Sequence, residues 1–385
     1  MSAAGAPSVD ISSVIRPGDG VVWGQACAEP QSLVEALTAQ RDALSGCRVF
    51  LGSSYSGLVR PEHADHLRLS SYCGTGSNRA LADAGVLGIL PAPYSQLGVL
   101  LRGGQIKCDV VMVQVSPPNA RGEYSLGLGV EYLAPALEVA RAVIAEVNDQ
   151  VPWTHTEPLL RRQDFDLLVE TSRPPVQLKY PAASELERRI AAHAAAWVPD
   201  GATIECGIGT LPNAIIAELA GRKLDYHSGL ICEAVRTLGA KRCVGGALMG
   251  TQALFDWARE NPAVRLTSSE ITHGAAALFA IERFVAINSA VEVDLTGQIN
   301  GEVARGSYVG AVGGALDFVR AANQSPGGVA ITALPAARIV ERLSGPTSVP
   351  RSEAGVIVTE HGTADLRGCT LAERERRLRR ISGNG

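Results

Sequence analysis

The chain has 385 residues, of which 46% are hydrophobic and 19% are charged, and its formal net charge is −4. This composition is typical of an ordinary globular protein and excludes the disordered and fibrous classes, and the length predicts two domains. The charge is spread without a basic stripe, which excludes binding to a nucleic-acid backbone. Small molecules are therefore the expected partners.

Three further features bound the class of protein. The apolar stretch from Gly85 to Leu101 is interrupted by Pro91 and Pro93, so it predicts loop and buried edge rather than a membrane span. The N-terminus shows neither a basic start nor an apolar core, which indicates no secretory signal and favours a cytoplasmic location. The eight cysteines contain no C-x-x-C pair, so we expect buried, reduced thiols and no metal site.

Short β-branched runs alternate with helical patterns along the whole chain. Such alternation predicts an α/β fold with mostly parallel sheets, in which ligands bind beyond the carboxyl ends of the strands. The predicted strands are Arg48–Leu51, Asp109–Val115, Ala202–Cys206, Cys243–Met249, Arg283–Asn288, Val329–Leu334 and Gly355–Thr359.

A domain boundary is expected near residue 180. The proline-containing stretch from Asp164 to Ser184 lacks sustained apolar periodicity, and a helical run from Glu185 to Trp197 follows it. The pattern predicts an N-terminal domain over residues 1–180 and a C-terminal domain over residues 181–385.

The first motif joins a predicted strand to a predicted helix. Gly207 and Gly209 follow the strand, Thr210 is a candidate N-cap, Pro212 suits the first turn and Gly221 suits the end. Free amides at such a junction suit an anion or pyrophosphate. A plain strand-to-helix turn is the alternative interpretation.

Two more motifs place polar or flexible groups after predicted strands. The loop that contains Val312, Gly313 and Gly314 precedes a helix and could present backbone amides to an oxyanion or to coenzyme A. Glu360 follows the predicted strand Gly355–Thr359, where it is either catalytic or a structural, ion-paired residue.

The motifs occur in a co-linear series that covers nearly the whole chain. The series is Val115–Gly127, Ile144–Pro152, Gly207–Gly209, Ala290–Gln298 and Val358–Glu360. In this series the chain resembles the acetyl-CoA hydrolase/CoA-transferase family, the class that includes 4-hydroxybutyrate CoA-transferase. The resemblance implies two open, mostly parallel α/β domains with the active site between them, acyl-CoA as substrate, and a homodimer or larger oligomer.

One position departs from that family. A typical member has His-Ser-Glu or His-Thr-Glu at a strand end, and the resemblance gives that Glu the role of nucleophile on the thioester. The matching residues here are His227, Ser228 and Gly229. Glycine has no side chain, so Gly229 cannot form the glutamyl-CoA intermediate.

Another residue must then act as base or nucleophile if the chain is catalytic. The candidates are Glu205, Glu233, Glu360, His227 and Cys232, of which His227 has a structural alternative and Cys232 a buried, inert one. Asn288 matches an active-site Asn of the family and would hold the thioester carbonyl or a substrate carboxylate; a strand-end cap is its alternative role.

The sequence therefore predicts an enzyme acting on CoA thioesters without the family's covalent intermediate. The reaction is hydrolysis of a thioester or of a neighbouring carbon–carbon bond, or acyl transfer to a different acceptor. The opposing interpretation is a non-catalytic CoA-binding or partner subunit of a homologous complex.

Overall fold

A computed structural model describes residues 9–383 and contains two large β-sheets flanked by helices. The strands of the first half are β1 (Gly20–Trp23), β2 (Arg48–Leu51), β3 (Arg68–Ser71), β4 (Leu87–Ile89), β5 (Val110–Val115), β6 (Glu123–Tyr124), β7 (Ala142–Asn148), β8 (His155–Thr156), β9 (Leu160–Arg161) and β10 (Leu167–Thr171). Those of the second half are β11 (Thr203–Cys206), β12 (Asp225–His227), β13 (Leu230–Cys232), β14 (Cys243–Gly245), β15 (Ala247–Met249), β16 (Val264–Leu266), β17 (Phe284–Ser289), β18 (Glu292–Asp294), β19 (Ile299–Asn300), β20 (Val303–Ala304), β21 (Ser307–Tyr308), β22 (Val329–Ala333), β23 (Ile339–Val340), β24 (Val356–Thr359) and β25 (Gly362–Asp365).

The helices lie between the strands and cover the sheets. They are α1 (Gln31–Ala39), α2 (Asn78–Asp83), α3 (Leu97–Arg102), α4 (Leu133–Val139), α5 (Glu185–Ala195), α6 (Thr210–Glu218), α7 (Gln252–Ala258), α8 (Ser269–Thr272), α9 (Ala275–Phe279), α10 (Ala315–Gln324) and α11 (Leu371–Ile381).

The first sheet has the strand order β10-β7-β5-β1-β2-β3-β4, and every pairing in it is parallel. Every residue of the central strands β5 and β7 is buried. Burial on both faces is the expected property of a parallel sheet covered by helices, and it explains the continuous apolar runs of these strands.

The second sheet has the order β25-β24-β22-β17-β11-β12-β14-β16-β8. It is parallel except at its edge, where β24 and β25 form an antiparallel pair. Its other edge is β8, which comes from the first half of the chain and pairs with β16. The first half therefore extends into the second sheet, which ties the two halves together.

The predicted α/β class with mostly parallel sheets is confirmed, but local details differ. The predicted strand Cys243–Met249 is interrupted at Gly246 and forms β14 and β15 in two different sheets. The stretch Gly85–Leu101, expected as loop and edge, also contains the start of α3. Gly209, not Thr210, is the N-cap of α6, and its φ of +124° suits a residue without a Cβ.

Candidate active site

A cavity of about 390 Å³ lies between the two halves of the chain. Gln25, Tyr94 and Glu131 contribute to the wall from the first half, and Glu205 and Gly229 contribute to the wall from the second. The wall from the second half is built where strands of its sheet end. The volume is in the range of small-molecule sites, and the location agrees with the rule for open parallel sheets.

One rim of the cavity is the glycine loop, defined here as residues 310–314, which leads into α10. Val312, Gly313 and Gly314 line the cavity. The first N–H groups of a helix have no intrahelical acceptor and carry partial positive charge, so this rim suits a developing oxyanion. The carbonyl oxygens of Gly310 and Gly313 accept hydrogen bonds of 2.9 Å from the backbone N–H groups of Gly74 and Tyr94. The first half of the chain therefore fixes the position of this loop.

Buried Glu205 and half-buried Asn288 form a hydrogen-bonded pair that lines the cavity. Strands β11 and β17 are parallel neighbours with Cys206 opposite Ile287, which brings both side chains to the same sheet edge. The Nδ2 atom of Asn288 donates to Oε2 of Glu205 at 2.9 Å. Burial raises the pKa of Glu205 to about 8, and the hydrogen bond from Asn288 offsets only part of this effect. The carboxyl group is therefore mainly protonated at neutral pH and can donate a proton.

Gly229 lines the cavity just beyond the end of β12, and an imidazole ring lies against it. A Cβ atom placed on Gly229 would lie 2.8 Å from Cε1 and 2.9 Å from Nε2 of His273. The ring of His273 packs between Tyr94 and Phe318, with 4.6 Å between centroids in each case. His273 therefore occupies the space into which a side chain at position 229 would project.

His273 was not predicted from the sequence. Its Nδ1 atom lies 2.8 Å from the hydroxyl oxygen of Thr272. Burial and the neighbouring His227 lower the pKa of His273 to about 3, so the imidazole is neutral at physiological pH. The Thr-His-Gly sequence around it follows no strand and carries no recognisable catalytic pattern.

Glu131 is a second buried carboxyl group that lines the cavity and was not predicted from the sequence. The Nε2 atom of Gln25 donates to both carboxylate oxygens at 2.8 Å and to the Tyr94 hydroxyl at 3.0 Å. Burial raises the pKa of Glu131 to about 7, against hydrogen bonds from Gln25 and Tyr94 that lower it. Glu131 is the one charged residue between Tyr124 and Leu137, and a lone charge in an apolar run is the pattern that could have identified it.

Two predicted residues lie next to the cavity without lining it. His227 is buried, donates from Nε2 to the carbonyl oxygen of Thr272 at 3.2 Å, and has a pKa lowered mainly by burial. Through that bond it supports the segment that carries His273. Cys232 is also buried, and burial raises the pKa of its thiol to about 11. A thiol with this pKa is a poor nucleophile at neutral pH.

The remaining predicted residues are distributed as follows. Glu233 accepts hydrogen bonds from the N–H and hydroxyl of Thr251 at 3.0 and 2.9 Å and forms an ion pair with Arg236 in a separate surface cleft. Glu360 accepts from the backbone N–H of Ala336 at 2.8 Å and is outside the cavity lining. Gly207 lines the cavity, whereas Gly209 caps α6 just behind it.

Within residues 9–383, no helix is long and apolar enough to cross a membrane. The same part of the chain contains no group of three or more His, Cys, Asp or Glu side chains placed to hold a metal ion.

Two mostly parallel α/β sheets with a small-molecule cavity between the two halves of the chain are typical of an α/β enzyme. Comparison with known proteins identifies the family. The family model for the acetyl-CoA hydrolase/transferase N-terminal domain matches residues 7–174. The model for the acetyl-CoA hydrolase/transferase C-terminal domain matches residues 250–383. The chain belongs to the acetyl-CoA hydrolase/transferase family and is an enzyme that acts on CoA thioesters.

Individual relatives agree with this assignment. The 4-hydroxybutyrate coenzyme A transferase of Clostridium kluyveri is 32% identical over 96% of this chain and 92% of its own length. The butyryl-CoA:acetate CoA-transferase of Anaerostipes caccae is 29% identical over 96% of this chain and 91% of its own length. The crystal structure of RipA from Yersinia pestis superposes with a TM-score of 0.91 at 28% identity, covering 96% of this chain and 92% of that one.

Proposed function

We propose that this enzyme breaks an acyl-CoA thioester by direct attack of water, or of a non-carboxylate acceptor, without forming an enzyme-bound CoA. The observation that carries the proposal is the contact between Gly229 and His273. The resemblance to the family assigns the nucleophile to position 229, which has no side chain, and an imidazole fills the adjoining space. No carboxylate can attack the thioester from that position.

Acyl-CoA is the proposed substrate because the relatives carry out transfer reactions of CoA thioesters, as their names state. The cavity has room for the acyl group and the thioester, and its glycine loop places backbone donors at one rim. No metal takes part in the proposed chemistry.

Glu205 is the predicted catalytic carboxyl group that faces the cavity, and we assign it the role of general acid. A protonated carboxyl group can give its proton to the departing CoA thiolate, so that the C–S bond breaks without leaving an unprotonated sulfur. Asn288 holds the Glu205 side chain at 2.9 Å and keeps it aimed along the strand end. The glycine loop would stabilise the oxyanion of the tetrahedral intermediate.

We also propose a compartment and an assembly for the enzyme. The eight cysteines, all within the described part of the chain, are free thiols, which suits a reducing compartment such as the cytoplasm. The resemblance to the family supports a homo-oligomer or a complex with a homologous subunit.

The test is release of free thiol from a panel of acyl-CoA thioesters, measured with and without acetate. We expect thiol release that does not depend on acetate. Exchange of CoA onto acetate without net thiol release would contradict the proposal. Binding of CoA without any turnover across the panel would favour a partner subunit instead.

A further inference from the structure

We propose that Glu131, delivered from the first half of the chain, is the general base that replaces the missing nucleophile at position 229. This inference rests on the proposed function and identifies the group that activates the attacking water. It stands on three observations: the position of the carboxylate, the strain in its backbone and the network that holds it.

The position of Glu131 is set by backbone hydrogen bonds between the two halves. The segment Gly129–Glu131 leaves the first half and is bonded into the second, with the N–H of Val130 donating to the carbonyl of Gly246 at 2.8 Å. The N–H of Ser269 donates to the carbonyl of Glu131 at 3.1 Å. These bonds place Glu131 beside the segment that contains Gly229.

The side chain of Glu131 and the backbone of Gly229 both lie close to Gly246. A Cβ atom on Gly246 would lie 2.6 Å from Cγ of Glu131 and 2.8 Å from the carbonyl oxygen of Gly229. The carboxylate of Glu131 and the backbone of Gly229 therefore meet across a single glycine. Both residues also line the cavity, so a carboxyl group from the first half lies in the same part of the cavity as position 229.

The backbone at Glu131 is strained. Its φ is +43°, in the left-handed region that residues with a Cβ rarely adopt. Such a conformation costs on the order of 1 kcal/mol and is retained where surrounding contacts enforce it, often at functional sites. Here the strained residue is one whose side chain lines the cavity.

A hydrogen-bond relay fixes the carboxylate. Gln25 donates from Nε2 to both carboxylate oxygens, and its Oε1 accepts from the hydroxyl of Tyr72 at 2.7 Å and from the N–H of Ser53 at 2.8 Å. This chain of donors fixes the orientation of the Gln25 amide, so that its N–H groups and not its oxygen face Glu131. A carboxylate that accepts hydrogen bonds on both oxygens still has lone pairs for a water molecule.

The tyrosine and imidazole side chains around Glu131 do not titrate near neutral pH, and Glu205, the other carboxyl group of the cavity, has a pKa of about 8. Tyr72, Tyr94 and Tyr132 have pKa values raised well above the usual value by burial, and the pKa of His273 is lowered. With a pKa of about 7, Glu131 is in the range that favours a general base at neutral pH.

Glu131 takes one proton from water while the water oxygen bonds to the thioester carbonyl carbon, and the oxyanion lies at the glycine loop. The intermediate collapses by breaking the C–S bond, the electron pair goes to sulfur, and Glu205 protonates the thiolate. The products are the carboxylic acid and free CoA, and the proton on Glu131 returns through solvent to Glu205.

The test compares Glu131→Gln with the matched control Glu29→Gln in thiol-release assays of the full-length protein. Glu29 is also a buried carboxylate of the first half with a pKa raised by burial, but it does not line the cavity. We expect Glu131→Gln to lower kcat by at least about 100-fold, the usual contribution of a general base, and Glu29→Gln to leave it near the wild-type value.

A pH profile separates a base from a structural residue. The base must be ionised, so wild-type kcat/KM should rise as pH increases through the pKa of Glu131, and the residual activity of Glu131→Gln should lack this rise. Circular dichroism and thermal unfolding check that the variant folds, and Glu131→Asp provides a second variant that keeps the charge and should retain part of the rise. Wild-type rates or an unchanged acidic limb in Glu131→Gln would overturn the inference, while absence of thiol release from the wild type would overturn the proposed function and the inference together.

Discussion

The two walls of the cavity are built in different ways. In the wall from the second half, Glu205 and Asn288 stand at the ends of neighbouring parallel strands, and their 2.9 Å contact follows from strand register. In the wall from the first half, Glu131 lies on a strained segment held by hydrogen bonds to the other half of the chain. The wall from the second half depends on local sheet geometry, whereas the wall from the first half depends on the two halves being correctly joined.

The largest expected loss of activity comes from a substitution in the wall from the second half. Glu205→Gln should lower the rate of thiol release by about 100-fold or more, because an amide cannot give a proton to the leaving thiolate. The acid must be protonated, so wild-type kcat/KM should fall as pH rises through about 8, and Glu205→Gln should lose this alkaline fall. Steady-state rates across pH 5–10 check both points.

Glu360→Gln is the comparison variant, because it tests the other carboxyl group that was expected to be catalytic. Glu360 also follows a strand and was expected to line the site, but its carboxylate binds the backbone N–H of Ala336 outside the cavity. A greater loss of activity in Glu360→Gln than in Glu205→Gln would contradict the placement of the acid.

The junction of the two walls can be tested by restoring a side chain at position 229. Gly229→Glu should not recover CoA exchange and should lower the free energy of unfolding by about 1–3 kcal/mol, because the new side chain meets the ring of His273. Denaturant unfolding measures the loss. A smaller side chain at position 273 should relieve this clash. The double variant Gly229→Glu/His273→Ala should therefore lose less unfolding free energy than the two single variants lose together.

Gly88→Glu is the matched control for that substitution. Gly88 is exposed in β4, and a Cβ there would meet other atoms only at an ordinary 3.6 Å. Its unfolding free energy should change by less than about 0.5 kcal/mol. Equal losses in the two variants would show that the contact with His273 is not the cause.

The smallest predicted effect concerns the bonds that join the halves near the glycine loop. The hydroxyl of Ser95 donates to Oδ1 of Asp317 in the first turn of α10 at 2.8 Å. Ser95→Ala should lower the free energy of unfolding by about 1 kcal/mol, the usual value for one hydrogen bond. Ser12→Ala removes an exposed hydroxyl bonded to Asp10 and should have a smaller effect; a larger loss in Ser12→Ala would contradict the importance of the junction.

The sequence predicted the elements that depend on local pattern. The strand Arg48–Leu51 was predicted with its observed bounds, and the motif at Gly207 was placed correctly between a strand and a helix. The segment Cys243–Met249 was predicted as one strand because its apolar run is continuous. Gly246 interrupts it, and the two pieces join different sheets to make room for the segment that carries Glu131.

The cavity wall from the first half could not be predicted in the same way. Glu131 and Gln25 are separated by 106 residues in the chain, and only the folded arrangement brings them together. His273 has no motif, and its role depends on the empty position at Gly229 and on the rings that enclose it. Sequence patterns of strands and turns identify residues at the ends of strands. They do not show which loop from the other half of the chain contacts those residues.

The mass of the intact protein, measured during turnover of an acyl-CoA thioester, shows directly whether CoA becomes bonded to the enzyme. We expect free thiol to accumulate while the protein mass stays unchanged, because neither Glu131 nor Glu205 forms a bond to CoA. A mass increase equal to CoA on any glutamate, formed and consumed during turnover, would contradict it.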